Sequence, residues 1–232
     1  MTQTNLKTKA IILRRTNYGE ADRILTILTP DNGQLSVMAK AVRRERSKLA
    51  GGIELFAVCE LSLVRGAQNK SGMWTLTSSK IITFYDQIMT DFDRLQMGYE
   101  ILKQVGRLSD VIETPELYSI LAQSLAGLND LQLDLRLIKA WFYLQIAKIK
   151  GAELNLLTDR NGMKLVEDAT YNYDLGERTL VYVENGPYTT KVIKLLRVLN
   201  GQPLAVTKRL TGITDNEIGQ ALYLARVAAE SG

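Results

Sequence analysis

In the N-terminal third of the chain, apolar and polar residues alternate with a period of two. Lys9–Arg15 is β-branched at its centre, Ile11-Ile12. From Ala21 to Thr29, Arg23, Leu25 and Ile27 share one face, and Ile24, Thr26 and Leu28 share the other, as in a strand. Pro30-Asp31-Asn32-Gly33 then supplies a turn, because Asn and Gly tolerate positive φ. Alternation returns over Gln34–Lys40, with Leu35, Val37 and Ala39 inward. Leu55, Ala57, Cys59, Leu61 and Leu63 make one face of a fourth strand. A fifth is expected from Met73 to Ile82, after a polar tip at 66–72. Five short strands in so short a stretch suit a small closed barrel, which leaves no exposed sheet edge, and the OB-fold is the commonest such barrel that binds nucleic acid.

After Phe84 the period becomes helical. Thr114 reads as an N-cap, with Pro115 at the first helical position. Asp134–Lys150 is apolar over most of its circumference, which marks a buried central helix, and Gly151 stops it. Residues 152–187 lose the helical period, and Met163–Val166 with Thr179–Val183 reads as a small hairpin. Helices resume over Tyr188–Asn200 and at Thr214-Asp215-Asn216-Glu217, a capping box. The predicted fold is α+β. A five-stranded OB-fold barrel (residues 1–82) precedes a mainly helical domain (83–232) with a hairpin insertion near 152–187.

Composition changes the functional picture more than the structural one. The 232 residues contain no histidine and one cysteine, Cys59. Ser-His-Asp and Cys-His catalysis, the HExxH zinc motif and Cys/His structural zinc sites are therefore excluded, as is an intrachain disulfide. No cofactor is expected, and the balance moves from enzyme to binding protein. No apolar run approaches the roughly 20 residues that cross a bilayer. The first residues also lack a signal-peptide pattern. A soluble, cytoplasmic protein without membrane contact is expected, a monomer when alone.

The net charge of +4 is unevenly placed. Residues 1–80 hold 13 Lys+Arg against 6 Asp+Glu, and the rest hold 16 against 19. A basic barrel on a mildly acidic remainder is the footprint of a polyanion-binding module. The excess peaks between two strands. Lys40, Arg43, Arg44, Arg46 and Lys48 surround one acid, Glu45, within nine residues, ahead of Gly51-Gly52. Like charges at this density resist burial, so an exposed, mobile loop is expected, and a phosphate chain would relieve their repulsion and release counterions. Arg14, Arg15 and Arg23 lie on neighbouring strands, and Lys9 and Lys70 extend the same patch. Tyr18 is the candidate for stacking on a base. Phe56 either shares that role or packs against the helical domain, and Trp74 is assigned to the core.

Glu20 and Asp22 fall on one side of an extended chain, an arrangement that can hold Mg²⁺ or do acid–base work. With no third acidic ligand nearby, surface ion pairs to Arg15 and Arg23 are the stronger expectation. Lys191, Lys194 and Arg197 recur every three residues beside Val192, Ile193, Leu195, Leu196 and Leu199. Such an edge is either a solvated helix side or a site for an acidic, apolar-ended peptide.

Taken in order, Gly19-Glu20-Ala21-Asp22-Arg23, Leu28-Thr29-Pro30 with Gly33, Ala39-Lys40-Ala41-Val42-Arg43-Arg44 and Ser47-Lys48 resemble the N-terminal domain of the RecO family of bacterial recombination and repair mediators. The resemblance is clear over residues 6–82. It implies an OB-fold followed by a helical domain and a non-enzymatic, nucleoid-associated role. That role comprises binding single- and double-stranded DNA, annealing complementary strands, partnering RecR, and helping RecA replace single-stranded-DNA-binding protein, whose acidic tail docks on the helical domain. The alternatives are an RNA-binding OB-fold protein and a protein-binding adaptor without nucleic-acid contact. Two departures stand out. Many relatives carry a four-cysteine zinc site in the segment corresponding to 154–183, where this chain has none, so packing through Tyr171 and Tyr173 is expected to hold the hairpin. Ala41 also stands where the family often has glycine, which restricts positive φ at the loop start.

Overall fold

The computed structural model describes residues 4–66 and 72–231. The chain divides into two compact units, residues 1–129 and 130–232.

The first unit opens with five strands, β1 (Thr4–Tyr18), β2 (Asp22–Thr29), β3 (Gly33–Ala39), β4 (Ala57–Arg65) and β5 (Trp74–Phe84). They close in the order β1-β2-β3-β5-β4, the OB-fold barrel expected from the alternation. β1 is long enough to serve two neighbours. Thr4–Ile11 pairs with β4 and Ile11–Tyr18 with β2, with an irregularity between Ile12 and Arg14. That bulge at Leu13 interrupts the alternation, so four successive residues, Ala10 to Leu13, are buried. The barrel interior is filled by residues that include Ile12, Leu25, Ile27, Val37, Cys59, Leu61, Leu63 and Trp74. Of the faces grouped by alternation, those carrying Leu25 and Ile27 on β2 and Cys59, Leu61 and Leu63 on β4 are the inward ones, and Trp74 is in the core.

Cys59 has no exposed surface, and burial pushes its thiol from 9.0 to about 11. Between those values the unfolded chain has lost the proton that the folded chain keeps. The stabilisation is therefore complete below about pH 9 and is lost as pH rises towards 11. Urea unfolding of wild type and Cys59→Ser as a function of pH should show a wild-type decline in this window that the variant lacks. In addition, native Cys59 should resist a thiol reagent at pH 8.

Two helices complete this unit, α1 (Phe92–Ser109) and α2 (Glu116–Asn129). Asp91 caps α1 by accepting from the Arg94 N–H at 3.0 Å. The Arg94 side chain is buried and donates to the Leu128 carbonyl at 3.0 Å, satisfying an otherwise orphan acceptor at the end of α2. α2 starts one residue later than the capping pattern predicts, and the Thr114 hydroxyl bonds to the Glu116 side chain.

Phe56 resolves between its two alternatives. It immediately precedes β4, adopts φ +56°, and is buried against α1. Its ring lies 5.1 Å from that of Tyr99, edge to face, and a Cβ on Gly98 would come within 2.8 Å of it. The alternative of packing on a helix is therefore the one realised.

The second unit contains α3 (Leu135–Ile149), β6 (Thr170–Asp174), β7 (Thr179–Tyr182), β8 (Tyr188–Thr189), α4 (Thr190–Gly201) and α5 (Asp215–Glu230). α3 is buried nearly all round, with Trp141 donating to the Gln202 carbonyl at 2.9 Å, and Gly151 follows it at φ +71°. The capping box at Thr214 and Glu217 is formed in both directions. The hairpin needs correcting. Thr179–Tyr182 pairs with Thr170–Asp174, not with Met163–Val166, and β8 adds a third strand on the other side of β6. Met163 and Val166 are largely exposed, whereas Tyr171 is buried, stacks edge-on with Tyr182 and accepts the Val166 N–H at 2.8 Å. Burial of one large ring selects the pairing. Arg160 adds ion pairs to Asp174 and Glu177 at the turn.

Candidate nucleic-acid interface

One end of the barrel gathers much of the cationic sequence. Tyr18, the last residue of β1, pairs with Asp22 and is 55% exposed. In register with Ala39, Arg23 lies next to the start of the basic segment, and its Nε donates to Asn17 Oδ1 at 3.1 Å.

The basic segment itself is exposed, but it is also anchored. Val42, which sits among the cations, is 2% exposed and inserts into the barrel core. The Arg43 N–H donates to the Ala21 carbonyl at 2.9 Å, and the Arg43 guanidinium reaches the Gly19 carbonyl. The Ala41 N–H donates to Asp22 Oδ1 at 2.6 Å. Consecutive turn bonds then run from Ala41 to Gly52. This adds to one expectation and corrects another. The segment is a chain of turns latched to the β1–β2 connection, and Asp22 is the latch instead of an ion-pair partner of Arg15 or Arg23. Asp22 was legible as a carboxylate; its partner, a backbone N–H nineteen residues away, left no sequence signal.

Ala41 adopts φ +53°. A residue with a Cβ loses roughly 1–2 kcal/mol in this region, and glycine's greater unfolded freedom offsets about 0.4–1 of that. Ala41→Gly should therefore stabilise the protein by about 0.5–1 kcal/mol, read as a higher urea midpoint with an unchanged slope.

The cations differ in how they are engaged. Among the described residues, none of Lys40, Arg43, Arg44, Arg46 and Lys48 takes part in an ion pair, and all five are exposed. Arg15, in contrast, is paired with Glu54 at 2.8 Å and is only partly exposed. Lys9 lies in the half of β1 that pairs with β4, opposite Glu60, away from the β1–β2 turn. Arg14 is exposed in the half of β1 that pairs with β2. Lys70 lies outside the described residues.

In the second unit, Lys194 pairs with Glu167 at 2.5 Å, and Arg197 donates to the Leu156 carbonyl at 2.8 Å. Lys191 is exposed, and its charge helps hold the Glu217 carboxyl below its usual range, behind the hydrogen bonds from Thr214. The apolar residues beside these cations, Val192, Ile193, Leu195, Leu196 and Leu199, are buried. Among the described residues, no helix is long and apolar enough to cross a membrane.

Comparison with known proteins adds an independent line. Residues 1–85 match the family described as "Recombination protein O N terminal". A protein of Dehalococcoides mccartyi strain CBDB1 named DNA repair protein RecO is 32% identical over 215 residues, covering 89% of this chain and 82% of the relative. One of the same name from Roseiflexus sp. strain RS-1 is 34% identical over 220 residues, covering 88% and 73%. Another, from Dehalococcoides mccartyi strain 195, is 34% identical over 171 residues; the matched region covers 73% of this chain and 65% of that relative, just under two-thirds. With about a third of positions identical along nearly nine-tenths of its length, and its barrel matched separately, this chain belongs to the RecO family of DNA repair proteins.

Proposed function

We propose that this protein is a non-enzymatic mediator of DNA repair and recombination. It binds single- and double-stranded DNA, anneals complementary strands, and works with RecR to help RecA replace single-stranded-DNA-binding protein. The observation that carries the reading is the row of five exposed, ion-pair-free cations latched to one end of an OB-fold barrel. In barrels of this class the faces of strands 2 and 3 and the connection between strands 1 and 2 are the usual oligonucleotide surface. Here Tyr18, Arg23, Lys40 and Arg43 border that connection.

The physics of annealing fits such a surface. Two strands repel through their phosphates, a dense cationic segment neutralises both, and the bases supply the pairing energy. Contact would be with the backbone, so affinity should depend on salt far more than on sequence. The test is a salt-titrated single-strand binding and annealing assay. If five cations meet phosphates, log affinity falls against log salt with a slope of about −3.5. Salt-insensitive binding, or no annealing above the protein-free rate, overturns the proposal.

A further inference from the structure

A cleft of about 530 Å³ lies within the first unit, between the bulge of β1 and α1. Its apolar surface comes from Leu13 and Leu102, both almost fully buried, and from the half-exposed ring of Tyr99, which Phe56 holds edge-on. Three cations line it, Arg14 from β1 and Lys103 and Arg107 from successive turns of α1. Among the described residues none of the three is in an ion pair, and all are exposed. One carboxylate, Asp110, also lines the cleft and accepts from Gln34, which takes a second bond from the Ser109 hydroxyl at 2.7 Å. The end wall is thereby fixed.

We infer that this cleft is a nucleotide subsite, in which a base of a single strand lies against Tyr99 and Leu102 while its phosphates meet Arg14, Lys103 and Arg107. The inference rests on the nucleic-acid reading of the basic segment and extends that surface. An apolar site with an aromatic wall and three cations to one carboxylate matches a ligand that is both flat and anionic. Continuity identifies that ligand as the same strand. Arg14 lies opposite Thr26, and alternation carries the exposed face of β1 from Arg14 through Thr16 to Tyr18. β2 and β3 add Ile24, Thr26, Ser36 and Met38, all at least partly exposed. A strand crossing this face would run from the Arg43 segment to the cleft, and the one acid at its β1–β2 end, Asp22 opposite Tyr18, is engaged by the Ala41 N–H. Lys103 and Arg107 escaped the sequence reading because they stand outside the basic third of the chain, on a helix whose contact with β1 is not written locally.

The experiment uses the full chain and an oligothymidylate of about 15 nucleotides, within the site size of one OB-fold. Lys103→Glu with Arg107→Glu should weaken binding about 25-fold at 0.1 M salt and flatten the salt slope by about 1.4, with an unchanged circular dichroism melt. Photocrosslinking with 5-iodouracil in place of thymine should mark Tyr99 in the wild type. Wild-type affinity and slope in the double variant, with no crosslink at Tyr99, overturn the cleft while leaving the basic segment's role standing. Weak binding by the double variant beside normal binding by a variant of the basic segment retains the cleft and overturns the segment. Unchanged DNA affinity combined with loss of binding to an Asp-rich peptide makes the occupant a protein and overturns the inference.

Discussion

Reversing Arg43, Arg44 and Arg46 to glutamate together lowers affinity for single-stranded DNA about 100-fold at 0.1 M salt and removes annealing. The magnitude follows from counterion release. Each phosphate contact on a single strand contributes about 0.7 to the salt exponent, so three contacts are worth about two decades in affinity between 1 M and 0.1 M salt. The salt slope should become shallower by about 2.1. The fold should survive. The three guanidinium groups are exposed and, among the described residues, in no ion pair, and the segment's anchors lie elsewhere, in the buried Val42 side chain and the Ala41 N–H. Only Arg43 also makes a side-chain bond inward, a long one of 3.3 Å to the Gly19 carbonyl. Gel-shift or anisotropy titrations at several salt concentrations read the effect, and a melt of the variant checks the fold. Wild-type affinity in a folded triple variant would remove the segment from the function.

The largest effect on stability is expected at Phe56. Its ring is 2% exposed and fills the space left by the absent side chain of Gly98 on α1, against Tyr99. Phe56→Ala should cost about 3–5 kcal/mol, the range for emptying a buried aromatic site. A partner substitution tests the geometry. Gly98→Ala alone places a methyl 2.8 Å from the Phe56 ring and should destabilise, by about 1–3 kcal/mol, despite alanine's better helix propensity. In the Phe56→Ala background that methyl has room, and the same change should be neutral or stabilising. Urea unfolding of the four proteins completes the cycle. Additive effects would mean that the ring and the glycine do not meet.

Much of this protein could be read along the chain. β2, β3 and β4 follow from strict alternation, because the two faces of a strand see different solvents and each residue reports its own side. The Thr214–Glu217 box and the buried α3 are likewise visible within one or two turns of helix. The exposure of Arg43, Arg44 and Arg46 is legible for a similar reason. Mutual repulsion at close sequence spacing is a local fact, and burial would have required more acids than the segment's one, Glu45.

What escaped the sequence depends on distant partners. Met163–Val166 and Thr170–Asp174 both offer apolar residues to β7, and the choice is made by the room that the second unit has for Tyr171. Phe56 sits at positive φ because Gly98 leaves a hole forty-two residues later. Asp22 has the same composition signal as a metal ligand or an ion-pair partner, and only the approach of Ala41 makes it a latch.

The order of residues by itself determined a barrel, a helical second part, a chain without histidine chemistry and the place of its densest positive charge. Each of these rests on periodicity, composition or near-neighbour repulsion. The tertiary structure alone decided that the cationic segment is latched to Asp22 and Ala21, and that, among the described residues, Arg15 is paired while the segment's own cations are not. It also decided that α1 brings Lys103 and Arg107 beside Arg14. Those outcomes depend on which surfaces the folded chain presses together, and contact between residues far apart in sequence leaves no period to read.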